Sequence, residues 1–399
     1  MNIFKKIYCR IFQMCFRIAL PFLPYREPVI LDSIKEIPNN LKNLSIKNIL
    51  LITDKGIRNL GITKELEDIL SKNNINCIVY DETLPNPTID NIESARKLYV
   101  DYSCEALIAF GGGSPLDCAK AVGARIAYPK KTIGKLKGLL KIRRKIPLLI
   151  AIPTTAGTGS EVTLASVVSD PSIQHKYTLM DFNLIPRYAV LDPSVTVTLP
   201  PHLTSTTGLD ALTHAIEAYI GRSTTSDTRK KAIEAIKLIF ENIEEAYNNG
   251  SNLTARANML KAAYLAGIAF SKSYVGYVHA VAHSLGGQYN IPHGLANAVL
   301  LPIVLEKYGK SIYKKLHKLS IEVGISSKDE NKEESARKFI KAIYALNERM
   351  NIPKKLKGIK EEDIVIMSKH ADKEANPLYP VPKLYNRKDL EKIYYLVKE

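Results

Sequence analysis

The stretch ALIAFGGGSPLDCAK, residues 106–120, decides the fold class. Its first five residues form an apolar strand pattern, three glycines and a serine follow at 111–114, and a helical pattern covers about 115–127. Glycines let a backbone approach a phosphate, and a helix N-terminus offers free N–H groups. The stretch therefore predicts a strand, a phosphate-binding turn and a helix. A purely structural turn remains the alternative, because the glycines do not form the G-x-G-x-x-G fingerprint.

Strand and helix patterns alternate throughout the first half of the chain. Strands are predicted at 46–53, 75–81, 106–110, 147–152 and 189–193, and helices at about 61–72, 88–102 and 115–127. Strands that alternate with helices indicate a parallel sheet. The first half is therefore predicted to be an α/β domain over residues 27–195.

The second half of the chain has a different pattern, with helical periodicity and no convincing strand. Helices are predicted at about 202–220, 226–248, 253–273, 275–288, 294–308 and 331–350. We therefore predict an all-helical domain over 196–399, preceded by the α/β domain and by an N-terminal amphipathic extension over 1–26.

A second polar loop, PTTAGTGSEVT (153–163), follows the strand at 147–152. Four hydroxyl side chains lie within seven residues of this loop, at Thr154, Thr155, Thr158 and Ser160. A polar, glycine-containing loop directly after a buried strand is typical of a ligand-binding loop. One or two of these hydroxyls would also serve as helix caps, but that role does not account for all four.

Asp54 ends the strand ILLIT and indicates which dinucleotide would bind. A carboxylate at that position accepts hydrogen bonds from a ribose diol and repels a 2′-phosphate, which favours NAD over NADP. The alternative is that Asp54 only caps a turn.

Four of the eight histidines lie in two short stretches, GLDALTHAIEAY (208–219) and YVHAVAHSLGGQYNIPHGLANA (277–298). Asp210 and His214 are four residues apart, so on a helix they share one face. His279 and His283 have the same spacing. A Gly-Gly and an Asn-Ile-Pro break then let the chain turn back before His293.

Three imidazoles and one carboxylate form a suitable ligand set for a divalent transition metal. A lone histidine on an apolar helix face is more often a hydrogen-bonded core residue. Here the two histidine-containing stretches, 208–219 and 277–298, occur in one chain. Small neighbouring residues such as Ala211 and Ala280 allow the helices to approach closely. We therefore predict that the metal ligands are Asp210, His214, His279 and His293.

The bulk composition limits the function classes. The chain has 399 residues and a net charge of +16, with no aromatic-interleaved basic patch or known nucleic-acid module, so we expect no nucleic-acid partner. The excess of lysine is explained by compositional bias. The five cysteines are scattered without a CxxC motif, which indicates reduced thiols and a cytoplasmic protein.

The N-terminal stretch MNIFKKIYCRIFQMCFRIALPFLPYREP (1–28) has an amphipathic helical pattern. Arg10 and Arg17 interrupt its apolar run, which is far shorter than the ~20 residues that span a bilayer, and no small-x-small cleavage site follows. We expect this helix to pack on its own protein or on a partner subunit. Peripheral membrane contact is the less favoured alternative.

These motifs together resemble the iron-containing (group III) alcohol dehydrogenases of the dehydroquinate synthase-like superfamily. The segments that carry the resemblance keep the family's order and spacing over residues 27–395: GGGSPLDCAK (111–120), IPTTAGTGSEVT (152–163), GLDALTHAIEAY (208–219) and VHAVAHSLGGQYNIPHGLANAVLLP (278–302). The resemblance implies an α/β dinucleotide-binding domain followed by an all-helical metal-binding domain.

The resemblance also implies residue roles. The metal ligands would be the four residues above, with His283 one turn away as a proton shuttle that also faces the nicotinamide. The cofactor contacts implied are Asp54, Asn86, Gly112, Gly113, Ser114, Thr154, Thr155, Thr158, Lys176 and His283. The resemblance implies that the metal is Fe²⁺, whereas the ligand chemistry also suits zinc.

The function expected is hydride transfer between NAD(H) and a small primary alcohol or aldehyde, with the metal as a Lewis acid on the alkoxide or carbonyl oxygen. A homodimer is implied by the resemblance. One alternative is a glycerol dehydrogenase-like or dehydroquinate synthase-like enzyme, which typically uses fewer histidine ligands. Another is a basic scaffold or membrane-associated protein, motivated by the N-terminal helix and the charge.

Overall fold

The structure is a computed structural model that describes residues 1–171 and 175–399, without the side chains of residues 175 and 176. It divides into two compact units. The α/β unit is Pro24–Leu199, and the helical unit combines Met1–Leu23 with Pro200–Glu399. The first 23 residues thus belong to the helical unit, whereas the sequence pattern sets residues 1–26 apart as an extension.

The α/β unit contains a six-stranded parallel sheet with the order β1-β9-β6-β4-β2-β3. Its strands are β1 (Val29–Leu31), β2 (Asn48–Ile52), β3 (Asn76–Tyr80), β4 (Ala106–Gly111), β6 (Leu148–Pro153) and β9 (Tyr188–Val190). Five of these six correspond to strands that the sequence predicts, so the predicted parallel sheet is confirmed. The exception is β1, a three-residue strand at the edge of the sheet.

Burial on both faces explains why the central strands are unbroken apolar runs. Along β4, Leu107 and Ala109 pack into one hydrophobic cluster, whereas Ile108 and Phe110 pack into another. Successive side chains of a strand point to opposite faces, so the two clusters lie on opposite sides of the sheet.

A smaller sheet joins β5 (Gly138–Leu139), β8 (His175–Met180) and β7 (Ala165–Asp170) in that order. β7 and β8 pair antiparallel, and β5 pairs parallel with β8. The sequence pattern did not predict these strands, because β5 has only two residues and because β7 and β8 mix polar with apolar residues.

Helices connect the strands of the α/β unit and account for most of the helical unit. Those of the α/β unit are α2 (Ile37–Asn43), α3 (Lys55–Asn59), α4 (Lys64–Lys72), α5 (Ile89–Asp101) and α6 (Gly113–Ala127). Those of the helical unit are α1 (Ile3–Ala19), α7 (Pro201–Ile220), α8 (Ser226–Asn248), α9 (Leu253–Ser273), α10 (Tyr277–Tyr289), α11 (His293–Tyr308), α12 (Tyr313–Glu322), α13 (Lys332–Arg349), α14 (Glu361–Ala375) and α15 (Arg387–Val397).

The predicted helices of the second half correspond to α7, α8, α9, α10, α11 and α13. The sequence pattern missed α12, α14 and α15, whose apolar residues are interspersed with many charges. Within the described residues, no helix has both the length and the apolar character needed to cross a bilayer.

The strand order creates a switch point in the α/β unit. From β2 the chain runs to β3 on one side and then crosses back to β4 on the other side of β2. In open parallel sheets, ligands bind beyond the carboxyl ends of the strands at such a point. The expected position for a ligand is therefore beside the turns that follow Ile52 and Gly111.

Candidate metal centre and dinucleotide-binding edge

Three helices of the helical unit bring the four predicted ligands together. α7 carries Asp210 and His214 one turn apart, α10 carries His279, and α11 begins at His293. One candidate ligand atom from each of the four residues lies within 4.8 Å of those from the other three. The arrangement has the size and donor set of a metal site.

The contacts within this cluster are too long for hydrogen bonds and leave room between the donors. From Asp210 Oδ1 the distance is 3.9 Å to His214 Nδ1, 3.7 Å to His279 Nε2 and 3.5 Å to His293 Nε2. His214 Nδ1 and His279 Nε2 are buried and have no hydrogen-bond partner among the described residues. Unpaired buried polar atoms are costly, so a cation at their centre fits this cluster well.

The groups of the cluster differ in their protonation states. Burial alone would raise the pKa of Asp210, but the surrounding imidazoles, His214 foremost, bring it below its usual range, so the carboxylate is ionised. Burial lowers the pKa of His214 to about 3, which leaves its ring neutral. Burial also opposes the charged form of His279, yet Asp210 and Glu217 raise its pKa to about 9.

Glu217 fixes the orientation of His279, and the sequence reasoning missed this residue. Its Oε2 lies 2.7 Å from His279 Nδ1 and accepts the Gly276 N–H at 2.7 Å, while Oε1 accepts the Val278 N–H at 2.9 Å. His279 Nε2 is thereby directed toward the cluster, as is usual for histidine ligands. The seven-residue spacing from Asp210, which keeps Glu217 near the same helix face, is a signal that could have identified it.

Asn297 is a second residue that the sequence reasoning missed. Its Nδ2 donates to Asp210 Oδ1 at 2.6 Å and lies 3.1 Å from His293 Nε2. One turn beyond His293 on α11, it holds the carboxylate in place beside that ring. A buried asparagine within an apolar helix, at 0 % exposure, was the available signal.

His283 lies beside the cluster but outside it. Its ring stacks on that of His293 with centroids 5.2 Å apart, and its side chain is 42 % exposed. His283 Nδ1 lies 2.6 Å from Glu374 Oε1, which also accepts the Tyr379 hydroxyl at 2.5 Å. Glu374 is 91 residues away along the chain. No local sequence pattern could therefore have linked it to His283.

In the α/β unit, the two predicted phosphate-side loops pack against each other. The Thr154 N–H donates to the Gly111 carbonyl at 3.0 Å, and a Cβ on Gly113 would lie 3.1 Å from Thr158 Cγ2. Gly111 has a φ of 150°, and a Cβ there would lie 2.6 Å from Pro115. The loops therefore need glycine at these positions to approach this closely.

The other predicted cofactor residues of this unit lie in the same set of loops. Ser114 Oγ accepts the backbone N–H of Asn86 at 3.1 Å, and Gly112 caps α6. Thr155 flanks Gly112. A Cβ atom added to Gly112 would lie 3.4 Å from Cγ2 of Thr155. Lys176 lies on β8, and its side chain is outside the part of the chain that the structure describes.

Asp54 does cap a helix in the structure. Its Oδ1 accepts the Ile57 N–H at 2.9 Å at the start of α3, directly after the β2 strand. This role as a cap is the alternative that the sequence analysis left open. The cap uses Oδ1 of Asp54, which leaves Oδ2 able to bind a ligand.

A buried lysine, not identified from the sequence, supports the loop at 153–163. Lys120 Nζ donates to Ser160 Oγ at 2.9 Å, to Thr163 Oγ1 at 2.9 Å and to the Ala165 carbonyl at 2.8 Å. Burial lowers its pKa to about 8, with Asp117 opposing that shift. These hydrogen bonds connect α6 to the loop at 153–163. They therefore hold that loop beside the glycine turn at which α6 begins.

Comparisons with known proteins agree with this architecture. The family described as "Iron-containing alcohol dehydrogenase" matches residues 30–193, and the "Fe-containing alcohol dehydrogenase family, C-terminal" matches residues 204–396. Alcohol dehydrogenase 4 of Saccharomyces cerevisiae is 40% identical over 343 residues, which cover 85% of this chain and 88% of the relative.

Two further relatives cover nearly the whole chain. The 1,3-propanediol dehydrogenase of Citrobacter freundii is 35% identical over 367 residues, covering 91% of this chain and 94% of the relative. The solved structure of an alcohol dehydrogenase from Oenococcus oeni superposes with a TM-score of 0.89 at 34% identity, covering 94% of this chain and 100% of that one.

The first prediction from this geometry concerns Glu217. Glu217→Gln should weaken binding of a divalent metal by about 10–100-fold, because the residue that orients His279 loses its charge. Competition with a chromophoric chelator measures the affinity. Glu241→Gln, an exposed change on α8, is the matched control and should leave the affinity unchanged. Equal affinities for the two variants would contradict the role of Glu217.

The second prediction concerns pH. With a pKa of about 9, His279 carries protons on both ring nitrogens at neutral pH, and a metal at Nε2 must displace one. His214 is already neutral and releases none. Zinc affinity should therefore rise roughly tenfold per pH unit between about pH 6 and 8, and level off above about pH 9. An affinity independent of pH in that range would show that His279 binds without losing a proton.

Proposed function

The chain belongs to the iron-containing alcohol dehydrogenase family, and from that premise we propose that it transfers a hydride between NAD(H) and a small primary alcohol or aldehyde. The observation that carries the proposal is the buried cluster of Asp210, His214, His279 and His293, whose ligand atoms lie within 4.8 Å of one another. Its unpaired imidazole nitrogens favour a catalytic metal over a structural polar network.

We propose ferrous iron as the metal, held by Asp210, His214, His279 and His293. When bound, the metal supplies a Lewis acid that polarises the substrate oxygen. Iron is favoured by the family, whereas the donors also suit zinc. Glu217 and Asn297 would keep the donor atoms oriented in either case, since they hold His279 and Asp210 by hydrogen bonds.

His283 is the proposed proton relay. Burial alone would raise the pKa of Glu374, but the nearby His283 lowers it below its ordinary value, so Glu374 is ionised and accepts the proton on His283 Nδ1. His283 Nε2 is then free to exchange the proton of the substrate oxygen with solvent, and the exposure of the side chain favours that route.

The dinucleotide is proposed to bind at the carboxyl edge of the parallel sheet. The N–H groups at the start of α6, with Gly112, Gly113 and Ser114, would receive the pyrophosphate. The hydroxyls of Thr154, Thr155 and Thr158, together with Asn86 and Lys176, complete the contacts proposed in the α/β unit. His283 is also proposed as a contact of the nicotinamide. Asp54 would bind the adenosine ribose, which favours NAD over NADP.

The substrate, assembly and location are also proposals. The names of the relatives from Saccharomyces cerevisiae and Citrobacter freundii support a short alcohol or diol. A homodimer is supported by β1, an edge strand on which Val29 and Ile30 are both 45% exposed. Five free cysteines support a reducing, cytoplasmic environment.

The test is anaerobic NADH oxidation by metal-free protein reloaded with ferrous iron or with zinc, over a panel of short aldehydes. Turnover with iron is the expected result. His279→Ala should lose metal and activity together, whereas His283→Ala should retain metal and change the pH–rate profile. Loss of metal from His283→Ala would overturn the assignment of the proton relay. If the metal-loaded protein turns over no aldehyde, either its substrate lies outside the panel or its reaction is not a dehydrogenation. The dehydroquinate synthase-like and scaffold alternatives are then the ones to test.

A further prediction concerns the dinucleotide. Asp54→Asn keeps a residue able to cap α3 but removes the carboxylate charge. The ratio of kcat/KM for NADPH to that for NADH should rise roughly tenfold or more, equivalent to about 1.4 kcal/mol or more. An unchanged ratio would mean that Asp54 serves only as a cap.

A further inference from the structure

Helix α1 is attached to the helical unit by its polar side chains. Gln13, 3% exposed, donates to the Tyr379 carbonyl at 2.7 Å. Arg10 donates to the carbonyls of Val381 at 2.7 Å and Pro382 at 3.0 Å, and Lys5 pairs with Asp372 at 3.0 Å. These contacts fix which side of the helix points inward.

The opposite side of α1 is apolar and faces outward. Phe4 is 80% exposed and Ile18 is 62% exposed, and Phe22, just beyond the helix, is 84% exposed. The outer face consists of Ile3, Phe4, Ile7, Tyr8, Ile11, Met14 and Ile18. A helix of 17 residues is about 25 Å long, so this apolar stripe is continuous over that length. The arrangement is the reverse of an ordinary surface helix, and exposed apolar patches of this kind mark interaction sites.

The segment that carries this stripe is basic. Residues 1–26 include Lys5, Lys6, Arg10, Arg17 and Arg26 but no aspartate or glutamate. Arg17 also lines a shallow pocket with Arg222, Arg229 and Lys315, and the hydroxyl-bearing residues Thr224 and Ser311 lie at the same pocket. Among the described residues that line it, none is acidic. Burial, followed by the charges of Arg229, Arg222 and Arg17, lowers the pKa of Lys315 to about 8.

A neighbouring groove extends the positive surface. It shares Arg229 and is lined by Lys230, Lys314, Lys318, Lys328 and Lys332, with Glu322 as its acidic residue. Lysines and arginines beside an amphipathic helix are the features that bind anionic lipid headgroups.

We propose that the outer face of α1, together with the cationic cluster of Arg17, Arg222, Arg229 and Lys315, docks the protein on the surface of an anionic lipid bilayer. The apolar stripe would enter the boundary between headgroups and acyl chains, and Arg17, Arg222 and Arg229 would bind lipid phosphates. Lys315 adds positive charge to the cluster but donates to the Ile220 and Gly221 carbonyls at the end of α7. Two copies that met through α1 would cover the apolar stripe but would leave the cationic cluster without an anionic partner. A nucleic acid would match the charge but would leave the apolar stripe uncovered.

The experiment is flotation of the metal-loaded, full-length protein with vesicles of phosphatidylcholine, with or without phosphatidylglycerol. The protein should float with the phosphatidylglycerol vesicles, and less so as salt is raised. The apolar variant Phe4→Ser/Ile7→Ser/Ile11→Ser should remain with the soluble fraction. The charge variant Arg17→Gln/Arg222→Gln/Arg229→Gln should lose about tenfold or more in partition coefficient.

A matched control removes the same number of positive charges elsewhere on the helical unit. Lys354→Gln/Lys355→Gln/Lys357→Gln changes three exposed residues and should float like the unchanged protein. Thermal melting checks that every variant is folded, and turnover should be unchanged because none of these residues belongs to the proposed site.

Three results would overturn the proposal. The first is that the unchanged protein does not float at low salt, and the second is that the charge variant floats as well as the lysine control. The third is a lower oligomeric mass of the apolar variant by light scattering, with unchanged vesicle binding. That last result would assign the stripe to contact with a second copy.

Discussion

The buried carboxylate of Asp210 is the interaction on which the site in the helical unit depends. It lies 3.5–3.9 Å from one nitrogen of each of three imidazoles, and two of those nitrogens have no hydrogen-bond partner in the described structure. An unsatisfied buried polar group costs about 1–3 kcal/mol. A divalent cation at the proposed site would pair with all four residues at once. The donors lie on α7, α10 and α11, so the spacing of these three helices sets the distances between the donors. Glu217 and Asn297 hold His279 and Asp210 in place by hydrogen bonds.

The α/β unit depends on a different constraint, the alignment of parallel strands. Because β2 and β4 end at the same edge, Asp54 and the glycine turn at 111–113 lie at neighbouring strand ends. Lys120 on α6 donates hydrogen bonds to Ser160 in the loop at 153–163 and to the Ala165 carbonyl, and so connects that segment to α6. The role of this buried ammonium is structural, because it donates to two hydroxyls and to a backbone carbonyl of the segment that follows the loop.

Much of this organisation could be predicted from the sequence, for reasons that differ between elements. The strands β2, β4 and β6 are buried on both faces, so their apolar runs are continuous and easily recognised. β7 and β8 were missed because their residues alternate without a clear apolar face. Asp210 and His214 could be paired because helical spacing places them on one face. His293 could be joined to His279 because a Gly-Gly and an Asn-Ile-Pro break let the chain turn back between them. Glu374 could not be linked to His283, because only folding brings α14 beside α10.

The sequence by itself determined the fold class, the donor types of the metal cluster and the glycine turns, because these depend on local periodicity and residue chemistry. Only the tertiary structure decided which nitrogens are left unpaired, which carboxylates hold His279 and His283, and which face of α1 points outward. The helical pattern of residues 3–19 specifies two faces but not which of them is covered. The covered face is determined by the contacts of Gln13, Arg10 and Lys5, whose partners lie more than 360 residues away along the chain.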